Sequence, residues 1–201
     1  MKSEHVSQVA QLHIQNIKEG FISSLGHKFV CCLYQAIVES YRAFGFVAVR
    51  DGKVLGFITC AENTDAVSKL VLRRNLFKLL WAYLPKMLRL KNIKNSLESL
   101  LCPAHRGNDL PSADLLAIVV AQEARGLGLG KRLVEASCSE FRKRGVETFK
   151  TMVDELFSAN DFYKHIGFKH VGKYRHHGDM HNTYVLEIKK QESADLLITE
   201  T

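Results

Sequence analysis

Apolar positions recur along this chain with helical and strand periods that alternate from segment to segment. From Ser3 to Ile17, Val6, Val9, Ala10, Leu12, His13 and Ile17 share one face at helical spacing, with Ser3 in place to cap the helix. Residues 20–26 break that pattern, and Lys28 to Tyr41 predicts a second helix joined by an apolar connector that packs inward. Phe46 to Arg50, then Asp51-Gly52, then Lys53 to Glu62 reads as a hairpin, because Asp-Gly suits the tight turn that twisted strands need. Gly56 inside the second strand marks a bulge or a close neighbour. Leu115 to Val120 is a continuous apolar run of buried-strand length, followed by a polar turn and a helix carrying Leu133, Val134, Ala136, Cys138 and Phe141. Thr148 to Val153 is a further strand, with a short helix around Tyr163 after it. Lys169 to Arg175 and Thr183 to Ile188 form a terminal strand pair, with a mobile tip at 176–181 and a loose tail over 191–201.

Residues 66–101 change the picture. Between Asp65 and Glu98 no acidic residue occurs, yet Lys69, Arg73, Arg74, Lys78, Lys86, Arg89, Lys91 and Lys94 do. Without these eight, 20 of the 28 Lys and Arg stand against 21 Asp and Glu, so the net charge of +7 resides in this segment. Leu90, Ile93, Leu97 and Leu100 share a face behind Pro85, which predicts a basic helical insert. The first expectation is an apolar face packed on the domain with solvated lysines. Peripheral contact with an anionic membrane and an electrostatic collar for an anionic ligand stand beside it. Nucleic acid is not expected as a partner, since no recognised binding module accompanies the charge.

The totals bound the rest. At 201 residues with 46% hydrophobic and 24% charged content, one domain over 1–190 is expected. The polar, periodic start predicts no signal peptide, and no apolar run reaches the ~20 residues of a membrane span. Five cysteines without a C-x-x-C spacing point to reduced thiols, a cytoplasmic location and no metal site. The histidines near 176–181 match no metal-ligand spacing, and His5 and His13 read as surface or packing residues.

The candidate chemistry centres on Arg125-Gly126-Leu127-Gly128-Leu129-Gly130-Lys131, between the apolar strand and its helix. Strand, glycine-rich turn and helix direct free N–H groups and a positive helix end at one spot, which suits phosphate. A P-loop is excluded: the glycine spacing is one residue short, and Arg132 stands where Ser or Thr would bind magnesium. A dinucleotide fingerprint is excluded by spacing and by the late position in the chain. The pattern Arg/Gln-x-x-Gly-x-Gly/Ala is met by Arg125, Gly128 and Gly130. A second block, Ala159, Tyr163, Gly167 and Phe168, fits Ala-x-x-x-Tyr-x-x-x-Gly-Phe. Together these motifs resemble those of the GNAT acyltransferase superfamily, most strongly from Leu115 to Phe168.

The resemblance implies an α/β (mixed α+β) fold: a mostly antiparallel, splayed central sheet flanked by helices, here with the usual first strand missing or very short. It implies acetyl transfer from acetyl-CoA, the co-substrate, to a primary amine by direct attack in a ternary complex. Ile118, Val120, Arg125, Gly126, Leu127, Gly128, Leu129, Gly130, Lys131, Asn160 and Tyr163 would hold acetyl-CoA. Asn160 would stand in for an asparagine usually found where this chain has Leu156. The Val120 N–H would polarise the thioester carbonyl, and Tyr163 would return a proton to the departing thiolate. The first two helices would wall the acceptor side. The general base stays open among Asp114, Glu155, His105, His177 and a water chain, since proximity alone supplies much of the acceleration. The leading acceptor is an amino sugar or other small amine. Protein N-termini or lysines, and a non-catalytic binding module on the same fold, are the alternatives, and a homodimer is kept open.

Overall fold

The computed structural model describes residues 1–17, 21–64, 110–176 and 179–189. The basic insert at 66–101, His105, His177 and the tail lie outside them. Among the described residues six strands form one open sheet in the order β1-β2-β3-β4-β6-β5: β1 Ala43–Arg50, β2 Lys53–Ala61, β3 Asp114–Val120, β4 Thr148–Asp154, β5 Lys169–His176 and β6 Asp179–Glu187. Every neighbouring pair is antiparallel except β3 with β4.

Helices cover both faces. On one side lie α1 (Val6–Asn16), the four-residue α2 (Phe21–Ser24) and α3 (His27–Glu39). Val9, Val30, Tyr34 and Ile37 from α1 and α3 pack there with Leu55, Phe57 and Val119. On the other side lie α4 (Leu129–Lys143) and α5 (Ala159–His165). There Phe141 meets Phe149 at 4.8 Å between ring centroids, and Phe149 meets Phe168 at 5.5 Å. These rings are almost fully withdrawn from water, and burying each contributes roughly 1.5–3 kcal/mol.

The β1–β2 hairpin turns as its Asp-Gly pair requires, with Asp51 at φ 52° and Gly52 at φ 74°. Both expectations for Gly56 hold. The β1–β2 register shifts between Ala48 and Val49 beside it, and a Cβ at Gly56 would lie 3.1 Å from the Val119 carbonyl oxygen. Two local expectations change. Ser3 is not the cap of α1: it opens a 3-10 turn, and its hydroxyl accepts from Gln35 Nε2 at 3.1 Å, so α3 claims the oxygen that would have capped the helix. The terminal strands also run further than expected. Arg175 pairs with Met180 and His176 with Asp179, because ladder bonding carries β6 through residues whose polarity suggested a loop.

His13 is buried, and its Nδ1 lies 2.6 Å from the Tyr34 hydroxyl. Burial lowers the imidazole pKa to about 4, so it packs as a neutral side chain.

Candidate active site

The parallel neighbours β3 and β4 touch at their starts and then part. Their one paired position is Asp114 with Lys150, where the Lys150 N–H donates to the Ala113 carbonyl at 2.9 Å. Thr151 adds a side-chain bond to the Leu115 carbonyl at 3.2 Å. Beyond that point the two strands share no ladder bond, which leaves a wedge in the middle of the sheet, closed at Asp114 and open toward Val120.

The direction of the backbone groups on β3 follows from its pairing with β2. The Ala121 N–H donates to the Leu55 carbonyl at 2.8 Å, so Val120, opposite Gly56, is the intervening non-bonded residue of the ladder. Alternation turns its N–H and C=O away from β2 and into the wedge, and Ile118, opposite Ile58, does the same. The Val120 carbonyl accepts from Arg125 Nε at 3.3 Å.

At the open end sits the glycine loop. Gly126 and Gly128 hold φ of 78° and 72°, and a Cβ on either would meet no atom within 4 Å. Gly128 is the N-terminal boundary of the 15-residue α4. No side chain caps that end, and its first turn carries no acidic residue. Uncapped N–H groups and the positive helix end therefore face open space with no Cβ in the way, which fits a pyrophosphate. Leu127 is exposed, and Lys131 lies 3.9 Å from Glu135 on the surface. Gly130 does a different job from its neighbours: a Cβ there would stand 3.0 Å from the Phe162 ring, so its bareness lets α5 close against α4.

Tyr163 enters the sheet from α5 and is 5% exposed, stacked on Tyr184 at 5.8 Å and edge-on to Phe168 at 5.2 Å. Burial pushes its phenol up to about 12, with the Thr151 hydroxyl partly offsetting the shift and the Asp114 charge adding to it. Its hydroxyl thus belongs to the closed end of the wedge, level with Thr151 and Leu115. Val120 stands five residues further toward the open end, and Ile118 lies between the two.

Asn160 is placed differently from the expectation for a ligand contact. Its Nδ2 donates to the carbonyls of Asp154 at 2.8 Å, Glu155 at 3.1 Å and Phe157 at 2.7 Å. Its Oδ1 accepts from Asn182 Nδ2 at 2.7 Å and from the Tyr184 hydroxyl at 3.0 Å. The amide is saturated from within, and what it does is tie the turn before α5 to β6. Asn160→Ala is expected to strand buried groups on both sides, at a cost of about 3 kcal/mol. A thermal melt should show the midpoint falling by about 10 °C.

Of the base candidates, Asp114 lies at the closed end. Burial raises its carboxyl to about 7, opposed by Lys150, whose Nζ is 3.8 Å away, and by the Thr64 hydroxyl. The same ammonium donates to the Pro111 carbonyl. Glu155 is engaged by Lys173. It lines a cleft of about 570 Å³ with Ser158, His170 and Asn182, and none of the glycine-loop residues borders that cleft. Among the described residues no cluster of His, Cys, Asp or Glu could hold a metal, and no helix is long and apolar enough to cross a membrane.

The sequence profile of the acetyltransferase (GNAT) family matches residues 15–168. A comparison with curated proteins finds no match. Solved structures share the fold at low identity. An aminoglycoside 6'-N-acetyltransferase complexed with coenzyme A is 14% identical, with a TM-score of 0.59 over 92% of each chain. An N-acetyltransferase from Staphylococcus aureus Mu50 is 16% identical, with a TM-score of 0.58 over 94% of this chain and 96% of that one. Ard1 from Thermoplasma volcanium is 15% identical, with a TM-score of 0.58 over 94% and 95%. With the family profile matching residues 15–168, most of the sequence, and the fold shared with these structures, the chain belongs to the acetyltransferase (GNAT) family.

Proposed function

We propose that residues 1–190 work as one N-acetyltransferase domain that moves an acetyl group from acetyl-CoA to a small primary amine, with amino sugars the leading acceptor class. The observation that carries this is the wedge. It joins an uncapped helix start behind two left-handed glycines to two inward-facing N–H groups and a buried phenol. The loop N–H groups from Gly126 to Lys131 hold the pyrophosphate. The Val120 N–H, nearer the loop, steadies the pantetheine arm, and the Ile118 N–H, deeper in the wedge and nearer Tyr163, polarises the thioester carbonyl; this moves the role expected of Val120, because the arm runs inward from the loop. Tyr163, protonated throughout the neutral range, supplies the proton that the departing thiolate takes up.

Asp114 is the base this arrangement favours. It stands at the closed end, four residues before Ile118 on β3, so it takes the ammonium proton through a water chain, and its titration near neutrality suits that role. Its carboxylate form is the active one, so turnover is expected to rise with pH through about 7. In Asp114→Asn that rising limb should disappear from the rate profile. A limb that persists in the variant assigns the base elsewhere. Four free thiols among the described residues fit a cytoplasmic site of action.

The direct test is calorimetric titration of acetyl-CoA into the wild type, followed by a screen of amino sugars, aminoglycosides, polyamines and peptides for thiol release. Saturable binding with release on a small amine is the expected result. A folded protein that binds no acetyl-CoA would overturn the reading.

A further inference from the structure

The guanidinium of Arg125 does not reach toward the open end of the glycine loop. It folds back, with Nε donating to the Val120 carbonyl at 3.3 Å and an Nη donating to Asn16 Oδ1 at 2.9 Å. Asn16 is itself locked, since its Nδ2 donates to the Leu12 carbonyl one turn earlier at 2.9 Å. The amide oxygen is therefore held outward at the last residue of α1. That is also the negative end of an 11-residue helix, where a cation is favoured.

Ala124 is buried, and the Ala124 and Arg125 N–H groups bond back to the Ala121 and Gln122 carbonyls, but beyond them Leu127 is exposed and a Cβ at Gly126 or Gly128 would meet nothing within 4 Å. A glycine-rich turn of this kind is costly to order, and whatever holds its first residue decides how many arrangements the N–H groups sample. Arg125 clamps that residue to the last carbonyl of β3 and to a helix 109 positions earlier in the chain.

We propose that Asn16 is a positioning residue for acetyl-CoA, holding Arg125 as a staple that pre-orders the glycine loop, so that the guanidinium is a strut of the site and not a phosphate ligand. The inference rests on the reading of the loop as a pyrophosphate cradle. It adds that α1, on the side expected to face the acceptor, is bonded directly to the donor loop. A pre-ordered loop spends less of the binding energy on its own ordering, so the effect belongs in acetyl-CoA affinity.

The test compares wild type, Asn16→Ala and Asn16→Asp in two measurements. Hydrogen exchange on the unliganded protein reads the staple itself: alanine should speed exchange at 121–130, and aspartate, which can still accept from Arg125, should restore protection. Calorimetry with acetyl-CoA reads the consequence: affinity should fall about tenfold in Asn16→Ala and recover most of the way in Asn16→Asp. If Arg125 were a phosphate ligand restrained by Asn16, freeing it would leave affinity unchanged or raise it, and that result overturns the proposal. Unchanged exchange at 121–130 overturns the staple. Faster exchange in Asn16→Ala together with no acetyl-CoA binding by the wild type keeps the staple but overturns its role in acetyl-CoA binding, along with the cradle reading.

Discussion

Gly128→Asp is expected to give a folded protein whose dissociation constant for acetyl-CoA is raised at least about a hundredfold. Gly128 starts α4 at φ 72° with open space around it. The left-handed backbone costs an aspartate roughly 1–2 kcal/mol, a strain a domain of this size can bear. The carboxylate then sits where the helix end gathers positive potential, taking up the N–H groups the pyrophosphate would use and repelling its charge. Gly145 supplies the control. It has φ 74° just past the other end of the same helix, again with nothing within 4 Å of its Cβ position. Gly145→Asp should carry a similar strain and lower the melting midpoint, yet bind acetyl-CoA as the wild type does. Equal binding by Gly128→Asp and wild type would mean that the loop does not hold the phosphates.

Tyr163→Phe is expected to lower turnover about a hundredfold while acetyl-CoA affinity stays within about twofold of wild type. The ring keeps its contacts with Tyr184 and Phe168, so the substitution removes an acid and leaves the packing. Burial holds the phenol near 12, well above working pH, so the loss should be uniform between pH 6 and 9. The rise near pH 7 assigned to Asp114 should survive it, which separates the two groups in one pH–rate series. Thiol release, measured with an amine that the screen has validated, reads both. Undiminished turnover across that range would remove Tyr163 as the acid.

Much of the fold was legible in the chain because the relevant signals are local. The Asp51-Gly52 turn, the apolar run of β3 and the spacing on α1 and α4 each declare their element within a dozen residues. The left-handed angles at Gly126 and Gly128 are likewise what a glycine-rich start to a helix demands. Where local reading failed, a distant partner had intervened. Ser3 has the chemistry of a cap, but Gln35 takes its hydroxyl. The polar residues before Thr183 resemble a loop, but β4 and β5 both pair with them. Gly130 belongs to the loop motif in sequence, yet its need for a bare Cα comes from Phe162 on another helix.

The sequence by itself therefore determined the family, the order of elements and the place of the glycine loop, since motif spacing and periodicity are properties of neighbouring residues. The tertiary structure decided how those parts become a site. It opened the wedge by pairing β3 with β4 at one position only, turned the Ile118 and Val120 N–H groups inward through the register with β2, and enclosed Asn160 in hydrogen bonds. It also set Arg125 on Asn16 across 109 positions. Each of these depends on which distant segment a backbone or side-chain group meets, and a hydrogen-bonding group shows no sign of its partner until the chain has folded.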